Sequence, residues 1–386
     1  MSDRLLEFDV AVIGAGIAGL TCAERLRQLG YTVVVLEKSR GVSGRVTTRR
    51  FYGLRADRGA RCLDPSGTLS QQLVRVLSQQ GIVEPWTDTV YRLQASDGQI
   101  SPQPHWCPYY APPTGMNAVG KFLSRHLEVW LNRRAESLTP TGDRTWHVQL
   151  KATGEEANPF LTQGRQVEIS TPEEVTAKAV VVAIPAPQAV TLLESPDKGM
   201  GDRFLHHLRS VQFDPCISTI AVYPASRQAQ FAQRPVQWRS LVVSQDPYLS
   251  WIGWDSSKRP GSSPPVVVFH STPAFAREYW SAKDLEPAAR QLLDRTAELG
   301  LPELRDPEAF QVDLWRYAFC QRPWIKPVLS TAQPLPLVCA GDWCGTAQIE
   351  TALHSGLEAA SWVNRQFEQF PLPPLASFWE VLAAVP

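Results

Sequence analysis

Three glycines and one acid carry the first chemical signal: Gly14, Gly16 and Gly19 at G-x-G-x-x-G spacing, with Glu37 eighteen residues beyond the last of them. Gly14 allows a tight turn, Gly16 lets backbone N–H groups approach a pyrophosphate, and Gly19 lets the following helix pack on the preceding strand. A carboxylate at Glu37 can accept both hydroxyls of an adenosine ribose. Far downstream, Gly341-Asp342 offers a second acid suited to a sugar-like polyol, ahead of a helix whose free N–H groups favour an electron-rich ring edge. Between them Lys38 to Arg50 holds Gly41 and Gly44 with Arg40, Arg45, Arg49 and Arg50. Guanidinium forks and backbone amides in such a basic loop suit a second approach to phosphate.

Positioning these groups requires a strand, a turn and a helix at each end of the chain. Val10–Ile13 is an apolar strand, Leu20 to Leu29 a helix closed by Gly30, and Tyr31 to Leu36 a second, β-branched strand. Asp57-Arg58-Gly59-Ala60 reads as a tight turn returning to the nucleotide, and residues 67–80 as an amphipathic helix. Prolines and aromatics from 85 to 115 imply extended strands and loops; 117–126 reads as helix, 127–131 and 145–151 as strands, and 159–172 as an insertion or longer hairpin. Lys178 to Pro185 has the continuous apolar run of a parallel strand buried on both faces. Helix is expected over 190–210 and 273–299, and strands over 216–223, 239–244, 248–254, 265–270 and 310–317, in an antiparallel sheet. Leu335 to Asp342 and the helix from Ile349 to about Phe367 return the chain to the first sheet.

At 386 residues the chain calls for two domains, and 38 basic against 38 acidic residues give no global pull towards nucleic acid or anionic membrane. A small-molecule partner is expected. The seven cysteines, at 22, 62, 107, 216, 320, 339 and 344, show neither a disulfide framework nor metal-ligand spacing, so no metal site is expected. With no basic-then-apolar leader and no apolar run of membrane-spanning length, the expected setting is the cytoplasm.

These segments, together with Ala183 to Gln188, Trp254 to Lys258, Phe269 to Pro273 and Trp315 to Ala318, resemble the two-dinucleotide-binding-domain flavoproteins of the amine-oxidase superfamily, and more closely their renalase-like branch. The resemblance implies an α/β architecture. A discontinuous Rossmann-type FAD-binding domain would span 1–84, 116–189 and 332–370, an interleaved antiparallel-sheet substrate domain 85–115 and 190–331, and a tail 371–386. It implies non-covalent FAD held by Gly14, Gly16, Ile17, Ala18, Gly19, Glu37, Lys38, Gly44, Arg45, Thr48, Asp57, Ala60, Ala135, Gly341, Asp342, Gln348 and Ile349, the last two beside the pyrimidine edge of the flavin. Val42-Ser43-Gly44 departs from the double glycine of many amine oxidases, and a backbone contact should survive the serine. Cys320 does not match the context of a covalent flavin linkage.

Flavin hydride chemistry asks little of side chains beyond orientation and dryness. His270 and Tyr317 are the catalytic candidates: His270 ends an apolar strand where renalase-like proteins place a histidine facing the flavin, against a satisfied core histidine as the plain alternative. Tyr317, Trp343, Trp254 and Trp106 could wall a planar ring, each also readable as core, and Arg316 and Arg277 lean towards a nucleotide substrate. The reading is an oxidase that takes a hydride from a reduced nicotinamide nucleotide, an aberrant dihydro isomer of NAD(P)H, with molecular oxygen as acceptor. Two alternatives stay open: an amine oxidase or desaturase acting on a small amine or lipophilic substrate, and a non-catalytic FAD-binding module.

Overall fold

The computed structural model describes residues 6–153, 160–162, 165–167, 173–194, 199–234, 236–259, 261, 264–346 and 348–384. The chain separates into two compact units, Met1–Gly44 with Val119–Gln212 and Cys320–Pro386, and Arg45–Ala118 with Phe213–Phe319. The expected joins were at 84, 115, 189 and 331, and of these 115 lies close to the division at Ala118. The hairpin Thr48–Phe51 and Leu54–Asp57 and the helix Thr68–Gln79 go with the second unit, and the helices Ala186–Leu193 and Asp202–Arg209 with the first.

In the first unit the strands Glu128–Trp130, Val33–Leu36, Glu7–Ile13, Glu174–Val182 and Leu337–Cys339 lie side by side and parallel. Their apolar runs are continuous because both faces are covered. Val10, Val12, Val34, Val35, Val180, Val181 and Leu337 are fully buried, each such side chain contributing roughly 1.5–3 kcal/mol. Antiparallel strands flank this wall: Leu329–Thr331 at one edge, Phe160–Thr162 with Arg165–Val167 at the other, and the hairpin Arg133–Pro140 with Trp146–Ala152 on the long strand Glu174–Val182. That outer pair lies within the polar stretch 159–172, most of which falls outside the described residues.

The helices Ile17–Leu29 and Gln348–Phe367 pack closely at Gly356, where a Cβ would stand 2.4 Å from the carbonyl oxygen of Ala18. The segment read as a tail forms the helix Leu375–Ala383, with Phe378 fully buried and the Leu382 carbonyl accepting from Arg125 at 2.6 Å.

The second unit is a seven-stranded sheet in the order Ala309–Arg322, Gln212–Val222, Val266–Ser271, Leu249–Trp254, Ser240–Ser244, Glu84–Gln94 and Ile100–Ala111. Neighbours run antiparallel from Gln212–Val222 to Ser240–Ser244, but Ser240–Ser244 pairs parallel with Glu84–Gln94, so the expected antiparallel sheet is mixed. Its core gathers Ile217, Phe231, Trp238, Phe269, Phe275 and Leu292.

Three local readings need correction. Residues 190–210 hold two helices, because Gly199 takes a left-handed φ of 64° and Gly201 caps the second. Residues 273–299 likewise hold Pro273–Glu278 and Glu286–Glu298, since Pro287 lacks the N–H needed mid-helix and suits the first turn of a new one. Arg49 and Arg50 lie in the strand Thr48–Phe51 rather than in a basic loop.

Candidate functional site

The glycine turn leaves the strand Glu7–Ile13 at the carboxyl edge of the parallel wall, the edge at which open α/β sheets bind ligands. Gly14 has φ 106° and would place a Cβ 2.6 Å from the Ala183 oxygen, while at Gly19 a Cβ would stand 2.0 Å from the Gly14 oxygen. At Gly16 a Cβ would meet nothing within 4 Å. The turn is packed on both sides of an open middle. Gly16 also caps the helix Ile17–Leu29 without any side-chain hydrogen bond, so the first-turn N–H groups suit an anion. Glu37 is buried beside it, with Oε2 accepting from Ala15 N at 2.9 Å and Oε1 from Ser39 N at 2.8 Å. Each oxygen keeps a second lone pair for a hydroxyl.

Ser43 and Gly44 close on this turn. Ser43 N donates to the Ala15 oxygen at 2.8 Å, and a Cβ on Gly44 would lie 3.2 Å from Gly16 Cα. Ser43 carries φ 98°, left-handed for an L-residue. Ala135 follows Arg133, whose N–H donates to the Glu37 carbonyl at 2.8 Å; Lys38 is exposed. The return motif reaches the same edge. Trp343 Nε1 donates to the Ile184 carbonyl at 3.1 Å and Gly341 N to Ser355 Oγ at 3.0 Å. Asp342, Gln348 and Ile349 therefore stand at the N-terminal end of the helix Gln348–Phe367. A dinucleotide pyrophosphate and ribose fit these residues.

The second unit contains a buried quartet of charges. Lys258 Nζ lies 3.0 Å from Asp57 Oδ2 and 2.7 Å from Asp255 Oδ1, and Arg259 lies 3.1 Å from the same Asp57 oxygen and 2.6 Å from Asp255 Oδ2. Burial pushes the Asp57 carboxyl up, but Lys258, Arg259, the Met116 N–H and the Thr48 hydroxyl outweigh it and hold it below the usual range. Burial pushes Lys258 down, and Asp255 and Asp57 outweigh that, holding it above its ordinary value. Asp57 and Thr48 are thus engaged within this unit, the Thr48 hydroxyl donating to Asp57 Oδ1 at 2.7 Å. Arg45 Nη1 reaches the carbonyls of Tyr317 and Ala318, both at 3.2 Å, and its own carbonyl accepts from Ala60 N at 2.9 Å.

Next to the quartet, His270 sits on the strand Val266–Ser271 between Ser218 and Trp251. Its ring centroid lies 5.0 Å from that of Trp251, and Arg61 Nε approaches its Nδ1 at 3.4 Å while the Arg61 guanidinium lies 4.7 Å over the same indole. Burial, then the charges of Arg61 and Lys258, push the His270 imidazolium well below its usual pKa, against a weaker pull from the Arg58 backbone, so the ring is neutral at pH 7. Burial brings Arg61 down to about 10, still charged. Ser218 Oγ donates to the Arg58 carbonyl at 2.9 Å, and Arg58 pairs with Asp313 at 2.7 Å and lies 5.1 Å over Trp315. No carboxylate among the described residues pairs with Arg61.

Of the catalytic candidates, His270 stands in this polar corner, and Tyr317 is half-buried against Phe213 and Trp280 at 5.8 and 6.4 Å. The aromatic wall is not assembled as expected. Trp343 is fully buried in the first unit, Trp254 in the second lies 5.1 Å from the Arg234 guanidinium, and the Trp106 side chain lies outside the described residues. Arg277 pairs with Asp214, and the exposed Arg316 donates to the Trp280 carbonyl at 3.3 Å. The arginines of the polar corner are instead Arg58 and Arg61. Arg58 lies in the turn Asp57-Arg58-Gly59-Ala60, and Arg61, one residue past that turn, carries no sequence signal beyond its place there. Among the described residues no group of three His, Cys, Asp or Glu side chains could hold a metal ion, and no helix is long and apolar enough to cross a membrane.

The first unit is a Rossmann-type dinucleotide-binding domain and the second a mixed-sheet domain. The family profile of flavin containing amine oxidoreductases matches residues 97–364, well over half of the chain, and that of an NAD(P)-binding Rossmann-like domain matches residues 12–79. The chain belongs to the flavin containing amine oxidoreductase family. A redesigned putrescine oxidase superposes with a TM-score of 0.69 at 14% identity, covering 94% of this chain and 100% of that one. Cyclohexylamine oxidase from Brevibacterium oxydans gives 0.65 at 13%, covering 94% and 100%. At such identities the likeness shows the fold. The flavin-dependent L-tryptophan oxidase RebO of Lentzea aerocolonigenes is 52% identical over 42 residues, 11% of this chain and 9% of that protein. Matches to curated relatives span 8% to 15% of those proteins' own length.

Proposed function

We propose that the chain is an FAD-dependent oxidase of renalase type that takes a hydride from a reduced nicotinamide nucleotide, with oxygen as final electron acceptor. FAD, held non-covalently by the glycine turn, Glu37 and Gly341-Asp342, would supply two-electron acceptance at its ring. The protein's own residues bind and orient. The observation that carries the nucleotide reading is charge: Arg58 is neutralised by Asp313, His270 is neutral, and Arg61 is left as a net positive charge beside them. An ammonium group is repelled by such a corner, and an electron-rich oxygen is drawn to it.

A second reading, an oxidase or desaturase acting on a small amine or lipophilic substrate, is supported better by the comparisons, since the family and both superposed oxidases are named for amines. One structural feature also favours it: Asp313 Oδ2 is buried without a hydrogen-bond partner. Anaerobic bleaching of the flavin's visible absorption separates the two, using borohydride-generated NADH isomers, authentic NADH and a panel of amines in separate runs. Rapid bleaching by reduced nicotinamides alone supports the first reading. Bleaching by an amine alone replaces it with the second.

A further inference from the structure

We infer that Arg61 is the specificity-determining residue that reads a planar acyl group of the substrate, a carboxamide or a carboxylate, and that His270 is the positioning residue that aims it. The inference deepens the nucleotide reading and rests on its placing of the substrate in the second unit. Arg61 is half-buried and held at two points, by its face on Trp251 at 4.7 Å and by Nε on His270 Nδ1 at 3.4 Å. A guanidinium is a planar fork of five N–H groups. With Nε engaged, the Nη1 and Nη2 edge is left, and it has no protein partner among the described residues. Two parallel donors match the two oxygens of a carboxylate, or the carbonyl oxygen of a carboxamide.

His270 sets that aim through its tautomer. Nδ1 accepts from Arg61, so the neutral ring carries its proton on Nε2, a buried atom without a hydrogen-bond partner. A protonated ring would set N–H against N–H and displace the guanidinium. The neighbours keep the ring neutral: Arg61 from the turn, Lys258 from the segment after Trp254, and the nearly fully buried indole of Trp251 from the adjacent strand. Cys216 and Cys62, both pushed up by burial, to about 11 and about 12, add no charge near neutrality. The turn itself is fixed at one end by Asp57 in the quartet and through the Arg58 carbonyl by Ser218. His270 is therefore no proton acceptor in this pose, and it acts through Arg61.

The test uses the FAD-loaded protein with nicotinate and nicotinamide as probes, their dissociation constants measured by equilibrium dialysis and by perturbation of the flavin spectrum, with benzylamine as the cationic control. Arg61→Gln should weaken the better probe about 10- to 100-fold, the usual effect of a charge-assisted hydrogen bond, with benzylamine unchanged or tighter. Arg61→Lys keeps charge without the fork and should fall between, and it carries the test if the glutamine variant loses FAD. His270→Asn retains an acceptor and should hold the affinity better than His270→Leu. Tighter nicotinate marks a carboxylate substrate and tighter nicotinamide a carboxamide. Unchanged probe affinity in both Arg61 variants, or a wild-type protein that binds neither probe, overturns the inference. Wild type that binds a probe through Arg61 yet is not bleached by any reduced nicotinamide sinks the nucleotide reading and leaves the role of Arg61 standing.

Discussion

Both carboxylate oxygens of Glu37 accept backbone N–H groups, one from the glycine turn itself, so this side chain shapes the turn as well as offering lone pairs to a ribose. Glu37→Ala should lower FAD retention at least tenfold, about 1.4 kcal/mol, measured as flavin per protein after gel filtration; full retention would remove Glu37 from the site. His270 predicts a pH effect on stability. Its folded pKa is depressed, so below about pH 6.5 the unfolded chain binds the extra proton, and stability falls by roughly 1.4 kcal/mol per pH unit on acidification. Urea midpoints between pH 7 and 5 should drop more steeply for wild type than for His270→Asn. Glu37 was readable because a fixed spacing ties it to the glycines. Arg61 was not, because its meaning comes from Trp251 and His270, nearly two hundred residues away, and no local pattern encodes that meeting.

Elements with a strong period were legible: the helix Thr68–Gln79, the long helix after Gly345 and the buried strand ending at Val182 fall close to where their apolar spacing put them. The helix Leu375–Ala383 was missed. Its interior face is defined by what it docks on, and a short apolar run after three prolines gives little local signal. Removing residues 371–386 should uncover the bed of Phe378 and lower stability by about 3 kcal/mol or more, read from thermal unfolding of the FAD-loaded protein. At Gly120 a Cβ would stand 2.1 Å from Ser43 Oγ. Gly120→Ala should therefore push the Ser43-Gly44 turn off Gly16 and weaken FAD binding with secondary structure intact, which circular dichroism and flavin titration together would show.

On the scale of the whole chain, a formal charge of zero leaves little repulsion between copies. Light scattering at low ionic strength should be greater at pH 7 than at pH 9, and equal scattering would point to a dominant local patch. Two compact units agree with the two domains expected from length, and the chain passes between them four times, with no marked change of composition at Gly44 or Phe319. Inside the second unit, Asp57, Asp255, Lys258 and Arg259 are packed as two negative and two positive charges. An alternating set of four with no net charge has neither a monopole nor much of a dipole, so its potential dies away within a few ångströms. Four buried ions therefore serve as a fastener of short electrical reach, in which only Lys258 is still felt at His270, and the one unpaired charge beside that ring is the guanidinium of Arg61.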